Sequence, residues 1–296
     1  MKPPYPALVS EWHNAPYPAI EPTSPALSHA GQTVVVTGAG SGIGQAACLA
    51  YAASGASRLI LLGRRQAKLD ETQALIEAQS PGSCAVHPFA ADTMHAAAIK
   101  GVAEAVGGWD VLVLSAGAIM SPASVADAEP DAWWNVIETN MRGFFNTLHA
   151  FLPTRKPGAR IVGVSAAIVN LPAVYPPCQG ASAYVTSKLA QIRLLEHVAA
   201  EHPDVFVVAV HPGIVATDMM RKSGMTEGNA EATLLDDVNL SAHFFVWATT
   251  KQAAFLRGKF CYANWDVEQL QARAKEIQET SILTPNILGW PFQAEA

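Results

Sequence analysis

Residues 33–44 read TVVVTGAGSGIG, and this stretch decides the fold. The β-branched run Val34–Val36 leads directly into glycines, which is typical of a buried parallel strand followed by a tight turn. The alanine-rich stretch Gln45–Ser54 then predicts a helix. A strand, a glycine loop and a helix in this order are the context in which the phosphates of a dinucleotide are bound. The stretch therefore predicts a nucleotide site as well as a βαβ unit.

The glycines of this loop have separate tasks in such a site. Gly38 permits the tight turn, Gly42 lets the backbone approach the pyrophosphate, and Gly44 lets the helix pack closely on the strand. The helix N-terminus offers free N–H groups and the positive end of its dipole to the phosphates. We expect Ser41 and Ile43 to contribute to this phosphate cradle.

The strand–helix alternation continues along the chain. Further strands are predicted at Arg58–Leu62, Ala85–Ala90, Val111–Leu114, Arg160–Val164 and Val205–Val210. Further helices are predicted at Gln66–Gln79, His95–Val106 and Asp131–Leu152, with another beginning near Ser182. Alternation of this kind predicts βαβ units with right-handed crossovers. The expected fold class is α/β: a single doubly wound Rossmann domain with a parallel sheet of about seven strands and helices on both faces.

Composition sets limits on organisation and on partners. Of 296 residues, 50% are hydrophobic and 15% are charged, with a net charge of −6, which excludes a disordered chain. Because no basic stripe is visible, we expect no nucleic-acid partner. We expect a proline-rich arm over residues 1–30, the dinucleotide-binding catalytic domain over 31–262 and a C-terminal extension over 263–296.

The sequence also bears on compartment and on metal chemistry. The uncharged stretch Ile161–Ser187 is interrupted by Pro172, Pro176 and Pro177, so we expect no membrane span. No targeting signal is visible, and we therefore expect a cytoplasmic protein. The four cysteines are widely spaced, so neither a metal site nor a disulfide framework is expected.

The end of the second predicted strand indicates which cofactor is bound. An acidic residue at this place binds the ribose 2′-hydroxyl of NAD, whereas an arginine accommodates the 2′-phosphate of NADP. Here the strand runs into Gly63, Arg64 and Arg65. The guanidinium fork suits a phosphate, so Arg64 is expected to bind NADP(H).

Tyr184 and Lys188 form the second motif. Their spacing of four places both side chains on one face of a helix. An ammonium beside a phenol favours the phenolate, so we expect the pKa of Tyr184 to fall toward neutral pH. Tyr184 then becomes a general acid or base, and Lys188 is expected to reach the nicotinamide ribose.

With these motifs together, the sequence resembles the short-chain dehydrogenase/reductase family, closely over Gly31–Thr217 and less clearly over Asp218–Tyr262, with features of a fungal branch. The matching motifs are TGAGSGIG, the Tyr184–Lys188 pair, the strand-end segment DVLVLSAG at Asp110–Gly117, and the loop HPGIVAT at His211–Thr217. The resemblance implies that Asp92 contacts adenine and that Asn140 completes the catalytic group by holding a water that links Lys188 to solvent. It places Ser115, Gly117, Ile214 and Thr217 around the cofactor.

The sequence departs from the family pattern at two places. Leu114 and Ser115 replace the usual pair of asparagines, and Ser115 can still form hydrogen bonds. Alignment also places Ala166 at the usual catalytic serine, with Ser165 one residue before it. Either Ser165 turns in to polarise the carbonyl, or another residue such as Ser182 or Gln179 serves. The remaining alternative is that Ser165 is bonded to the backbone and the oxyanion donor is missing.

Two functions follow from the resemblance. One is an NADP(H)-dependent carbonyl reductase or alcohol dehydrogenase acting on an apolar, polyketide- or terpenoid-like small molecule of secondary metabolism. The other is a family member with altered or lost redox chemistry: a dehydratase, isomerase, cyclase or cofactor-binding protein. The expected substrate lid is Asp218–Asp237, with flexible thioethers at Met219, Met220 and Met225 and hinges at Gly224 and Gly228. The family resemblance implies a homodimer or homotetramer.

Overall fold

A computed structural model describes residues 7–175, 178–224 and 235–286. Within these residues, seven strands form one parallel sheet in the order β3-β2-β1-β4-β5-β6-β7. The strands are β1 Thr33–Thr37, β2 Arg58–Gly63, β3 Ala85–Ala90, β4 Trp109–Leu114, β5 Arg155–Val164, β6 Phe206–His211 and β7 Lys259–Tyr262. The order reverses between β1 and β4, and a crevice at such a switch point is where ligands bind in open α/β sheets.

Helices cover both faces of this sheet. They are α1 Gly42–Ala53, α2 Gln66–Gln79, α3 Ala96–Val106, α4 Pro130–Ile137, α5 Gly143–Phe151, α6 Ser182–Glu201, α7 Asp218–Lys222, α8 Val238–Ala248, α9 Val267–Ala272 and α10 Ala274–Glu279. Helix α1 packs against α2 and α8, whereas α3 packs against α5 and α4 against α6. The central strands are buried on both faces, which explains their nearly continuous runs of Val, Leu and Ile. The expected fold class is confirmed.

The predicted helix over Asp131–Leu152 is divided in the structure. A π-helical segment, Glu138–Arg142, joins α4 to α5. In this segment Gly143 N donates to Glu138 O, a bond that spans five residues instead of four and widens the turn. The segment brings Asn140, which is fully buried, into the candidate site.

The N-terminal arm packs against the C-terminal extension. Val9, Trp12, Ile20 and Leu27 of the arm are buried in the core. Trp12 forms an isolated antiparallel bridge with Trp265, and His13 N donates to Asn264 O over 2.8 Å. The described part of the arm is thus held against the body of the protein rather than projecting from it.

Both edges of the sheet have features that limit further pairing. Edge strand β3 contains Pro88, which has no N–H to donate. At edge strand β7, Phe260 N donates to Leu283 O over 2.7 Å, so the segment after α10 lies along this strand. In the stretches that the structure describes, no helix combines the length and apolar character needed to cross a membrane.

Candidate active site

The glycine loop between β1 and α1 is tightly packed. Gly38 has φ of 71°, in the left-handed region that glycine adopts readily, and a Cβ placed on it would lie 3.0–3.1 Å from the backbone of Ser115 and Ala116. A Cβ on Gly44 would collide with the main chain of Gly38. Helix α1 begins at Gly42, three residues earlier than predicted, so Gly42 and Gly44 both lie in its first turn. The backbone N–H groups of this turn therefore face the carboxyl edge of the sheet.

Thr37 joins this loop to the end of β4. Its hydroxyl accepts hydrogen bonds from the N–H groups of Ser115 and Ala116, each over 3.1 Å. Ser115 and Gly117 therefore lie beside the glycine loop, as the strand order requires. The side chain of Ser115 lies where the family carries an asparagine.

Two arginines follow β2 at the expected place. Arg64 and Arg65 are exposed, and Arg64 Nη1 lies 3.9 Å from Asp92 Oδ2 at the end of β3. Asp92 Oδ1 also accepts from Met94 N over 2.9 Å, which fixes the carboxylate at the strand end. The guanidinium of Arg64 remains largely exposed and is available to a phosphate.

Tyr184 and Lys188 lie on the same face of α6, with Lys188 Nζ 5.8 Å from the centre of the Tyr184 ring. Burial raises the pKa of Tyr184 to about 12. Burial also lowers the pKa of Lys188 to about 8. The expectation that Lys188 brings the Tyr184 pKa down is therefore wrong for this structure, because desolvation of the phenolate outweighs attraction at this distance.

Hydrogen bonds hold Lys188 and Asn140 in one network. Lys188 Nζ donates to Val164 O over 2.8 Å and to Gln191 Oε1 over 3.1 Å. The Asn140 side chain accepts from Ala118 N over 2.7 Å and donates to Ala118 O and Ser187 Oγ, each over 2.9 Å. Its main-chain oxygen accepts from Gln191 Nε2 over 2.5 Å.

Gly117 marks the space between these groups. A Cβ placed on Gly117 would lie 3.3 Å from Asn140 Oδ1 and 3.6 Å from both Lys188 Nζ and Met219 Cε. The structure therefore brings Gly117, Asn140 and Lys188 together at the carboxyl edge of β4 and β5. Met219, from the expected substrate lid, reaches the same space.

Ser165 is buried at the end of β5, with 3% of its surface exposed. Its hydroxyl donates to the main-chain oxygen of Lys188 over 3.2 Å, and its N–H donates to Val210 O over 2.8 Å. Ser165 thus has the backbone bond that was one of the alternatives for it. Ala166, next along the chain, is partly exposed.

The two other candidate donors have partners of their own. Ser182 Oγ accepts from Trp133 Nε1 over 3.0 Å, and Gln179 Nε2 donates to Val174 O over 3.4 Å. Neither contact places these groups with Lys188. The hydroxyls of Ser165 and Ser182 are hydrogen-bonded to Lys188 O and to Trp133 Nε1, and not to the Lys188 ammonium.

The loop after β6 closes the site from the other side. Thr217 caps α7 by accepting from Met220 N over 3.3 Å, and its methyl lies 3.1 Å from a Cβ placed on Gly42. Ile214 N donates to Asp236 Oδ2 over 2.7 Å. Met220 is buried, whereas Met225 and Gly228 lie outside the described residues.

Two residues of this network were missed by sequence reasoning. Gln191 lies three residues after Lys188, a spacing that puts both on one helix face and could have suggested the contact. Asp236 lies far from the motifs along the chain, and no local pattern points to its bond with Ile214.

These residues fit a bound nicotinamide dinucleotide. Gly44 packs against the backbone of Gly38, and the absence of a side chain on Gly117 lets Asn140 and Lys188 approach the backbone at the end of β4. Arg64 would hold a 2′-phosphate and Asp92 the adenine side. Lys188 and Asn140 are the residues that the resemblance assigns to the nicotinamide end.

Comparisons with known proteins find related sequences over most of the chain. A family model described as short chain dehydrogenase matches residues 32–228. The chain is 34% identical over 281 residues to the short chain dehydrogenase mpl6 of Monascus purpureus, covering 91% of this chain and 92% of the relative. It is 32% identical to the short chain dehydrogenase andI of Emericella variicolor, covering 92% and 93%.

A solved structure shows the same fold. The short chain dehydrogenase of Shigella flexneri 2a, determined in complex with NADP, superposes with a TM-score of 0.71. It is 21% identical, and the match covers 81% of this chain and 99% of that one.

Proposed function

The chain belongs to the short-chain dehydrogenase family, and on that premise we propose that it is an NADP(H)-dependent oxidoreductase acting on a carbonyl or alcohol of an apolar small molecule. The observation that carries the proposal is the grouping of Lys188 and Asn140 beside Gly117, with Tyr184 on the same face of α6 as Lys188. When bound, the reduced nicotinamide supplies a hydride to the substrate carbon.

Tyr184 is the proposed general acid. With a pKa raised to about 12 by burial, its phenol keeps its proton at neutral pH and can donate that proton to a carbonyl oxygen. Lys188, whose pKa is lowered to about 8, is still mostly an ammonium at pH 7 and can bind the ribose. A protonated Tyr184 is the form that a general acid needs in the reduction of a carbonyl.

The preference for NADP(H) rests on Arg64 and Arg65. Both guanidiniums are exposed at the end of β2, where a 2′-phosphate would lie. The β2 end itself carries no acid, and Asp92, at the end of β3, is the carboxylate nearest to Arg64 among the ion pairs of the described residues. A 2′-phosphate would gain charge-assisted hydrogen bonds from these arginines that NADH cannot form.

Turnover by Tyr184 is tested by following NADPH oxidation over a panel of apolar ketones. We expect Tyr184→Phe to lower kcat by about 10²–10⁴, since that is the usual contribution of a general acid, and to leave NADPH affinity unchanged. A wild-type protein that binds NADPH and reduces no ketone of the panel would contradict the proposal.

Cofactor preference is tested with Arg64→Ala and Arg65→Ala. Loss of a charge-assisted bond to the 2′-phosphate should weaken NADPH binding by about 10-fold or more, while NADH binding stays the same. Lys100→Ala on α3 is the matched control, because it also removes an exposed cation. Equal losses of affinity for NADH and NADPH would show that the arginines do not bind the 2′-phosphate.

A second function is favoured by one observation. Ala166 stands at the usual serine position, and the Ser165 hydroxyl is bonded to Lys188 O. A site without an oxyanion hydroxyl suits a dehydratase, isomerase, cyclase or cofactor-binding protein. Mass spectrometry of candidate substrates incubated with protein and NADPH separates the two, because only the reductase adds two hydrogens to its substrate.

The substrate class and the assembly are also proposed. Met219 beside Gly117 gives the site a flexible apolar wall, which suits a polyketide- or terpenoid-like carbonyl. Three exposed apolar side chains, Trp134, Phe145 and Leu189, lie on α4, α5 and α6, the helices proposed to pair in a homodimer or homotetramer. Light scattering of Phe145→Glu against wild type tests this pairing.

A further inference from the structure

Gln191 lies one turn beyond Lys188 on α6, and 1% of its surface is exposed. Its Oε1 accepts from Lys188 Nζ over 3.1 Å, and its Nε2 donates to Asn140 O over 2.5 Å. An ammonium can only donate and a carbonyl can only accept, so these partners fix the orientation of the amide. The side chain therefore joins Lys188 directly to the main chain of the π-helical segment.

We propose that Gln191 is a positioning residue that ties the Lys188 ammonium to the Asn140 carbonyl and so holds Lys188 charged and oriented for the cofactor. The proposal rests on the function proposed above, because it assigns Lys188 to cofactor binding. It differs from what the family resemblance implies, which is a water molecule linking Asn140 to Lys188.

The geometry leaves Lys188 with a defined spare donor. An ammonium has three N–H groups. Val164 O and Gln191 Oε1 accept two of them, over 2.8 and 3.1 Å. Nζ also lies 3.6 Å from the position of a Cβ on Gly117, so the ammonium lies at the end of β4 beside Gly117. Val164 and Gln191 accept two of the donors, which leaves the third for a ligand that binds at this edge of the sheet.

The groups around Lys188 make the Gln191 side-chain amide important for keeping the lysine protonated. Tyr184 is the titratable group that faces Lys188 on its own helix. The groups that neighbouring elements bring to Lys188 are uncharged among the described residues: Val164 from β5, Asn140 from the π segment, Gly117 after β4 and Met219 from α7. Without a carboxylate nearby, carbonyl dipoles stabilise the buried ammonium. Gln191 supplies one of the two that the structure shows.

The test measures the pKa of Lys188 directly, by NMR titration of its labelled side chain in the cofactor-free protein. In Gln191→Met, a side chain of similar size that cannot accept this bond, we expect the midpoint to fall by about one pH unit or more. In Gln191→Glu, the carboxylate should raise the midpoint. Unchanged midpoints in both variants would overturn the proposal, even if their melting temperatures fell.

A matched control separates positioning from general loss of packing. Ser187 lies on α6, like Gln191, and Ser187→Ala removes a buried hydrogen bond to the Asn140 side chain. This substitution removes none of the hydrogen bonds of the Lys188 ammonium. We expect it to leave the Lys188 midpoint where it is in wild type. A shift as large as that of Gln191→Met would show that any defect near Asn140 moves Lys188, and would overturn the specific role of Gln191.

NADPH binding supplies the second readout. For Gln191→Met, affinity should be lower than wild type by about five-fold at pH 8, and the deficit should shrink as pH is lowered to 6 and Lys188 is protonated. A pH-independent deficit would count against the proposal. If wild type binds no NADPH, the proposed function fails, and the titration of the cofactor-free protein still decides the role of Gln191.

Discussion

The hydroxyl of Ser165 and the methyl of Ala166 lie at adjacent positions at the end of β5, and their surroundings differ. Ser165 is buried and bonded to Lys188 O, whereas Ala166 is partly exposed. The side chain with a hydroxyl thus faces helix α6, and the residue aligned with the family's catalytic serine has no hydroxyl.

This difference leads to a paired prediction. Ser165→Ala should change kcat by less than about 10-fold, whereas loss of an oxyanion donor would cost about 10²–10³. It should also lower the free energy of unfolding by about 1 kcal/mol, because a buried hydrogen bond is lost. Ala166→Ser should raise kcat, since it adds a hydroxyl at the family's catalytic position. Steady-state kinetics and urea unfolding measure both effects, and a steep kcat loss in Ser165→Ala would reverse the assignment.

The protonation state of Tyr184 shows what one motif can and cannot predict. The spacing of Tyr184 and Lys188 places them on one helix face, and the structure agrees. The direction of the Tyr184 pKa shift depends on burial by distant segments, which a four-residue motif does not contain. The same helix spacing could have predicted the contact between Gln191 and Lys188. It could not have predicted the second partner of Gln191, Asn140 O, which lies on another element.

At the scale of elements, the contact between α1 and the end of β1 depends on Gly44. A Cβ at this position would meet the Gly38 carbonyl group and Ala39 N, which are backbone atoms and cannot rotate away. Gly44→Ala should therefore lower the free energy of unfolding by about 1–3 kcal/mol, the usual cost of overpacking, and weaken dinucleotide binding.

Gly101 is the matched control for that substitution. It lies in α3 with no neighbouring atom within 4 Å of a built Cβ. Gly101→Ala should stabilise the protein by about 0.5–1 kcal/mol, because alanine loses less backbone entropy in a helix. Chemical denaturation measures both variants. A tolerated Gly44→Ala would mean that helix α1 can move away from the glycine loop.

Helices and strands could be predicted where the local sequence pattern matches the environment of the element in the fold. Helix α2 has the predicted bounds, Gln66–Gln79, and its sequence is that of an exposed helix. The sequence predicted ordinary helix over the π segment Glu138–Arg142. The main-chain oxygen of Asn140 in this segment bonds to Gln191 of α6, and a local helix pattern does not contain such a long-range contact. Strand β7, with four residues, is too short to stand out without its partner β6.

At the scale of the whole molecule, Asp236 joins three distant segments. Its carboxylate accepts from Ile214 N over 2.7 Å, from Asn14 Nδ2 of the arm over 2.6 Å and from Asn264 Nδ2 of the C-terminal extension over 2.9 Å. The loop after β6 is therefore fixed by both ends of the described chain. This connection explains why the arm and the extension pack together beside the site.

Asp236 should make stability depend on pH. Burial raises its pKa from 3.8 to about 6, so between these values the folded protein holds a proton that the unfolded chain releases. The contribution of Asp236 to the free energy of unfolding is thus greatest below the unfolded pKa and falls as pH rises toward 6, by about 3 kcal/mol in total. Urea unfolding of wild type and Asp236→Asn across this range isolates the effect. A constant difference between the two proteins would contradict it.

The bond from Phe260 to Leu283 also bears on how the protein behaves in concentrated solution. An open strand edge is a template on which other chains can add strands and aggregate. Here β3 carries Pro88, which has no N–H to donate, and the segment around Leu283 bonds to the outer edge of β7. A chain shortened before residue 280 would expose β7 and should form insoluble assemblies during expression, even with every proposed active-site residue retained.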